Sequence, residues 1–325
     1  MTAPALHPRL RALLLEGGAI VTALYALLYA TYAYHSKGAL SVSGAADLAN
    51  NAAPLMIAAA GGALVILLRG FDLSVAGVIS LSNVLLAVYP MEGPGGALAG
   101  LAMVAGVGAL VGLVNGVLVA YVGLQSVAAT LSTMIATQGI ALVLLDAPGG
   151  AVSDWISNTM TDVVAGVIPV SGLVVLVVVG AWLLLKRTNV GIALYAVGRD
   201  ETAAGLSGID VRRAKCIAFI CAGVLYGIAG YMLSAQTASG NPNAGNSMLL
   251  LVFASIALGG TSFSGGQGGL VGSVVGAATL MLLQKVLFSS GVQSFYIGLV
   301  QGMVMIMAVA FANLLARLVT SEHAK

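Results

Sequence analysis

Between about residues 17 and 316 the sequence is a succession of apolar runs, many of them near the roughly 20 residues a helix needs to cross a bilayer. Only one polar stretch of any length interrupts them, residues 186–215. That alternation leaves few folds open, because a chain in lipid must satisfy its backbone groups internally and runs of this kind do so as helices. The charge content agrees. Charged residues make up 7% of the chain, against about 25% in soluble domains, too few to cover a surface facing water. The chain therefore reads as an all-α integral membrane protein with about ten transmembrane helices, in a single transmembrane domain over residues 1–325. Forty-three glycines with 6% aromatic residues point to close helix–helix contacts rather than a bulky core.

The polar island holds six of the thirteen Lys and Arg residues, namely Lys186, Arg187, Arg199, Arg212, Arg213 and Lys215, together with Asp200, Glu201 and Asp210. Its basic excess places it on the cytoplasmic side, and residues 186–214 read as one cytoplasmic segment. Within it, Asp200 is an N-cap residue with acid in the following turn, and Gly208 is a stop signal, so a short helix is expected between them. A plain connecting loop is the simpler reading. Against it, the segment is longer than a connection requires, and its middle is too apolar for a solvated loop. A short tethered helix of this kind is suited to being gripped by another protein.

In chain order, the expected spans are about 17–34, 48–68, 73–89, 97–121, 125–145, 167–185, 215–235, 248–258, 270–288 and 296–316. Arg9 and Arg11 precede the first span, and the tail carries Arg317 and Lys325. Both termini are thereby placed inside. Asp146, Asp154 and Asp162 share an outer loop without Lys or Arg, with a short interfacial helix expected at Asp154–Trp155. Two stretches break the helical pattern, Arg69–Ser74 and the Gly-rich segment 259–269. Gly108, Gly112 and Gly116 in the fourth span are echoed by Gly268, Gly272 and Gly276 at the ninth. That echo suggests an inverted repeat of spans 2–5 and 7–10, as transporters often use.

Enzyme chemistry finds no footing. No lysine follows a glycine as a phosphate loop requires, and His7, His35 and His323 are scattered. Cys216 and Cys221 have no metal or redox spacing. What remains are polar groups within the apolar runs. A carboxylate at membrane depth is costly and points to function, which singles out Asp72. It either contacts a transported solute or ion, or caps the third span and pairs with Arg69. Ser74, Asn83, Asn115, Thr130, Thr133, Gln138, Thr261 and Ser262 are further candidates for a polar path, each also explicable as an interhelical hydrogen bond.

Four stretches resemble the permease subunits of ribose-type ABC importers. They are Gly70–Val75 with the following ISLSN, Gly112–Val119 with Thr130–Met134, Thr188–Gly198 continuing through Gly208–Arg213, and Leu258–Gly266. They occur in the family's order across about residues 50–315. The resemblance implies a bacterial inner-membrane importer subunit translocating a sugar or similar small polar solute, without a cofactor of its own. ATP and magnesium would reside on a partner cytoplasmic ATP-binding subunit. An external substrate-binding protein, a second permease copy or sister permease, and membrane lipid would complete the partners, with no role for nucleic acid. Arg199, Asp200, Glu201, Thr202, Ala203, Ala204, Gly205, Leu206, Ser207 and Gly208 would form the element coupled to the ATPase. The sequence departs from the family pattern at Arg69, Ala76, Arg199 and Gly205, and near Ser126, where a proline is usual. The alternative from another class is an ion-coupled secondary transporter with Asp72 as its ion site.

Overall fold

The computed structural model describes residues 18–36 and 38–293, together with 296, 298–300, 302, 303 and 306. The expected leader before residue 17 and the tail after 316 lie outside the described residues, as does most of the tenth span. The order is α1 (Gly18–His35), α2 (Val42–Leu67), α3 (Ser74–Val88), α4 (Gly93–Ala120), α5 (Ser126–Leu144) and α6 (Asp154–Thr161). A two-strand hairpin follows, β1 (Val163–Val164) with β2 (Ile168–Pro169), then α7 (Val170–Leu185), α8 (Asn189–Arg199), α9 (Glu201–Leu206), α10 (Val211–Thr237), α11 (Asn246–Leu258) and α12 (Leu270–Ser289). Among the described residues α2, α4, α5, α10 and α12 are long and apolar enough to cross a membrane. The pair α7–α8, bent by 79°, makes a sixth candidate if counted as one span, while α3 and α11 are shorter apolar helices.

Helix α2 is the axis of the bundle: 83% of its most apolar window is buried, against 22% for α5. Its last two turns, Ala60 to Leu67, are enclosed on every side. The apolar core gathers around it from α3, α4, α10, α11 and α12. The α4–α10 seam is the closest. A Cβ on Gly108 would run into the Gly223 carbonyl, one on Gly112 into the Phe219 carbonyl, and one on Gly116 onto Cys216. Without side chains at these points the two backbones approach directly. The second glycine series packs differently, with Gly272 and Gly276 of α12 against Gly259 and Ser255 at the end of α11.

The second span starts earlier than its hydropathy suggests. Ser41 caps it through its hydroxyl, which accepts from Gly44 N–H, so helix runs through Asp47, Asn50 and Asn51. Those polar groups find partners: Asn50 donates to the Thr161 carbonyl and accepts from Ser171 Oγ. The expected interfacial helix is α6. Its neighbour, the hairpin, closes on Ala165 and Gly166, both with positive φ as a type I′ turn requires.

Candidate functional site

The chain between α2 and α3 is irregular, and two of its amide groups are taken up by the first turns of α5. Phe71 N–H donates to Ser126 Oγ at 3.1 Å and Leu73 N–H to Thr130 Oγ1 at 3.0 Å. Asp72 then turns back onto α3, where its Oδ1 accepts from Ser74 N–H at 3.0 Å and from the Ser74 hydroxyl at 2.5 Å. Asn115 of α4 donates to Ser74 Oγ at 2.9 Å, and Thr133 of α5 donates to Asn115 Oδ1 at 2.7 Å. Five of the nine polar candidates, Asp72, Ser74, Asn115, Thr130 and Thr133, thus belong to one network joining α3, α4 and α5. Asp72, Ser74, Asn115 and Thr130 are all buried. Asp72 Oδ2 faces the Tyr226 hydroxyl of α10, and neither buried atom has any other hydrogen-bond partner. The expected pairing of Asp72 with Arg69 is not formed.

The other four candidates lie elsewhere. Asn83 donates to Ser234 Oγ at 2.9 Å and to the Ser239 carbonyl at 3.0 Å, and accepts from Asn241 N–H at 2.6 Å. It holds the 238–245 loop against α3. Gln138 donates to the Pro242 carbonyl and to Asn243 Oδ1 in the same loop. Thr261 and Ser262 serve the 259–269 break: Thr261 Oγ1 accepts from Gly269 N–H at 3.1 Å, and Ser262 Oγ accepts from Ser264 N–H at 3.2 Å.

The island folds into two helices before α10. Thr188 caps α8, its hydroxyl accepting from Gly191 N–H. Asp200 closes α8 and opens α9, accepting from Ala203 N–H at 2.9 Å. Gly208, at φ +84°, ends α9 with paired bonds from Gly208 N–H to Gly205 and from Ile209 N–H to Ala204, the Schellman closure. Asp210 caps α10 by accepting from Arg213 N–H at 3.0 Å, and Glu201 pairs with Lys215 at 2.7 Å. Within α9 only Ala204 is buried, whereas Leu206 is 87% exposed. A cleft of about 510 Å³ opens beside it, with Arg69, Arg212 and Lys215 among its walls.

Several contributors escaped the sequence reading. Helix α8 did, because Gly191 and Gly198 look like loop residues. Each is needed for approach, to Lys186 and to the Leu67 carbonyl respectively. Tyr226 carried no signal of its own, and Ser126 only a place near a departure from the family pattern. Arg69 stood out as a departure from the family's glycine and as the expected partner of Asp72, not of α8.

Three comparisons place the chain. The family model described as the permease component of a branched-chain amino acid transport system matches residues 44–309. The ribose import permease RbsC of Escherichia coli K12 is 34% identical over 268 residues, covering 79% of this chain and 81% of that protein. RbsC of Bacillus subtilis is 36% identical over 250 residues, covering 75% and 77%. The D-allose transport system permease AlsC of Escherichia coli K12 is 34% identical over 256 residues, covering 78% of each. No solved structure matches. The apolar helices make this a multi-pass membrane protein, and with two-thirds or more of its length shared at this identity, the chain belongs to the ribose-type family of ABC transporter permeases, subunits that are not themselves enzymes.

Proposed function

We propose that this chain is the membrane-spanning subunit of an ABC importer, carrying a sugar or similar small polar solute into the cytoplasm at the expense of ATP hydrolysed on a separate subunit. The observation that carries the reading is α9. It is a six-residue helix capped at both ends, tied back by the Glu201–Lys215 pair, with Leu206 presented to solvent. A short helix held rigidly yet exposed is what a partner needs to push on. Arg199 to Gly208 is the ATPase-coupled element in this scheme. The printed names of the relatives, ribose and D-allose permeases, favour a sugar.

The remaining parts follow the same reading. Ten spans in the bacterial inner membrane put both termini in the cytoplasm, with the basic island on the same side. An inverted repeat is supported by helix lengths, since α2, α3 and α4 run 26, 15 and 28 residues and α10, α11 and α12 run 27, 13 and 20. A second permease copy or sister permease would complete the assembly, and the polar groups of α3, α4 and α5 would border the path. An external binding protein would deliver the solute.

Co-expression with an ATP-binding subunit of a ribose-type ABC importer tests the proposal. The expected result is a complex that hydrolyses ATP and takes up D-ribose in proteoliposomes, lost on deleting 200–208 or on Glu201→Arg. A chain that purifies alone and moves solute on an ion gradient would overturn it in favour of an ion-coupled carrier.

A further inference from the structure

Arg69 occupies an unusual position. It follows the end of α2 as the residue that closes the helix, with Arg69 N–H bonded to the Ile66 carbonyl and Gly70 N–H to the Val65 carbonyl. That closure needs a left-handed residue, most often glycine, and Arg69 adopts it at φ +60°. A side chain at such a point is strained, so holding one there asks for a compensating interaction. The guanidinium supplies it. Nε donates to the Gly198 carbonyl at 2.9 Å, and the same group donates to the Arg199 carbonyl. These are two of the last carbonyls of α8, which have no partner within the helix. A cation there also complements the negative end of the helix dipole.

The surroundings are shaped to admit this contact. Gly265 lies against the Arg69 stem, where a Cβ would collide with Cγ. Gly198 lies against the Leu67 carbonyl, which also accepts from Gly266 N–H at 2.9 Å. One turn earlier, α8 is held to the same loop by the Tyr195 hydroxyl, which donates to the Gly268 carbonyl at 2.8 Å. Thus the end of α2, the end of α8 and the 259–269 loop meet at one junction. Three residues beyond Arg69 along its segment is Asp72, root of the buried network; one residue beyond Arg199 along the other is Asp200, the cap of α9.

We propose that Arg69 is a positioning residue that transmits displacement of α9 into the α2–α3 break, and through Ser126 and Thr130 into α5. This rests on the reading of α9 as the ATPase-coupled element. The guanidinium bridges the two segments close to both elements: Gly198 and Arg199 directly precede Asp200, and Arg69 precedes Phe71 and Leu73, whose amides α5 holds. A backbone glycine at this position would close α2 equally well but leave the α8 carbonyls unlinked, so the side chain has a role separable from the turn.

The test uses the complex with the ATP-binding subunit, in a chain with Cys216 and Cys221 replaced by alanine. A reporter, Ser132→Cys on the exposed side of α5, is labelled with a maleimide with and without ADP–vanadate. With Arg69 present, trapping is expected to change the labelling rate several-fold. Arg69→Gly removes both strain and guanidinium, so its melting temperature should hold or rise, and the complex should still assemble and hydrolyse ATP. The nucleotide-dependent labelling change should nevertheless disappear. Arg69→Gln, which keeps the strain, should lose the change equally, and Arg69→Lys should restore part of it. A purely structural role would move melting and labelling together. An undiminished labelling response in Arg69→Gly or Arg69→Gln would overturn the proposal. So would loss of ATPase binding in those variants, which would make Arg69 a docking residue. No response even with Arg69 present, in an assembled complex, would instead overturn the coupling role of α9 itself and this inference with it.

Discussion

Asn115 donates to the Ser74 hydroxyl at 2.9 Å across forty-one residues of sequence, and through it the α4 helix reaches the carboxylate of Asp72. The amide is wholly buried and both its ends are used, since Thr133 donates to its Oδ1 at 2.7 Å. Asn115→Ala leaves Thr133 without this acceptor and Ser74 without its donor. Ser74 is buried, and a buried bond left unmade costs about 1–3 kcal/mol, whereas the half-buried Thr133 hydroxyl keeps its bond to the Thr130 carbonyl at 3.1 Å. The detergent-purified variant is expected to melt well below the parent, and Thr133→Val, which strands only Asn115 Oδ1, by a smaller margin. Thermal unfolding of the two variants checks the ranking.

The α4–α10 seam makes a prediction of opposite signs on one helix. A methyl at Gly108 meets the Gly223 carbonyl and one at Gly223 meets the Gly108 carbonyl. Gly108→Ala and Gly223→Ala must therefore push the helices apart, at a cost of about 1–3 kcal/mol. Gly106, two residues from Gly108, has open space where its Cβ would lie. Gly106→Ala should be neutral or stabilise by about 0.4–1 kcal/mol. Equal destabilisation by all three would mean that the seam is not the constraint.

What was legible in the sequence depended on whether the signal was local. Asp200 and Gly208 announce the ends of α9 because caps act within a single turn, and the structure has each in that role; the start of α10 at Val211, capped by Asp210, lies four residues before the expected span. The Arg69–Ser74 and 259–269 breaks were readable for the same reason, as was the apolar stretch of α10. The start of α2 was not: it was expected near residue 48 and lies at Val42, because Asp47 lowers the local hydropathy and the Ser41 cap stands ahead of the apolar run, while the partners of the polar first turns, Thr161, Ser171 and Gln236, are more than a hundred residues away. The polar candidates were recognised as a class but not as sets. Nothing in the order of residues separates Asn83 and Gln138, which hold the 238–245 loop, from Asn115 and Thr133, which hold the break. That division is set by which helices neighbour one another. Arg69 was visible as an oddity, while its partners at Gly198 and Arg199 required the fold.

Asp200 ends one helix and begins another, so its side chain should be replaceable only in kind. Asn accepts from the N3 amide as well as Asp does, whereas Ala cannot, and losing such a cap costs about 0.5–2 kcal/mol. That is enough to unravel a six-residue helix without unfolding the bundle. Asp200→Ala is expected to insert and melt nearly as the parent does, yet to weaken co-purification with the ATP-binding subunit, and Asp200→Asn to retain it. By contrast Glu201→Gln removes only a half-exposed pair with Lys215, worth about 0–1 kcal/mol, and should leave both melting and association close to those of the parent. A pull-down of the three variants against the ATP-binding subunit, with melting measured alongside, checks both expectations.

Asp72 separates the two transport readings. Its Oδ1 accepts twice from Ser74, and an asparagine offers the same acceptor in nearly the same shape. Asp72→Asn therefore keeps the closure of α3, and its new amide protons face the Tyr226 hydroxyl, which has no partner other than residue 72. Asp72→Ala strands the Ser74 amide and hydroxyl together inside the bundle, at about 1–3 kcal/mol for each group. If the carboxylate works as a cap, Asp72→Asn should fold and support ATP-dependent uptake of D-ribose at close to the parental rate, while Asp72→Ala should be destabilised and slow. If instead the charge binds a coupling ion, Asp72→Asn should fold equally well and transport nothing. The geometry favours the cap, since one carboxylate oxygen is fully committed to Ser74 and the nearest cation-bearing side chain in sequence, Arg69, points away to the end of α8. Uptake by the two variants in proteoliposomes, each with its melting temperature measured, distinguishes a lost closure from a lost charge.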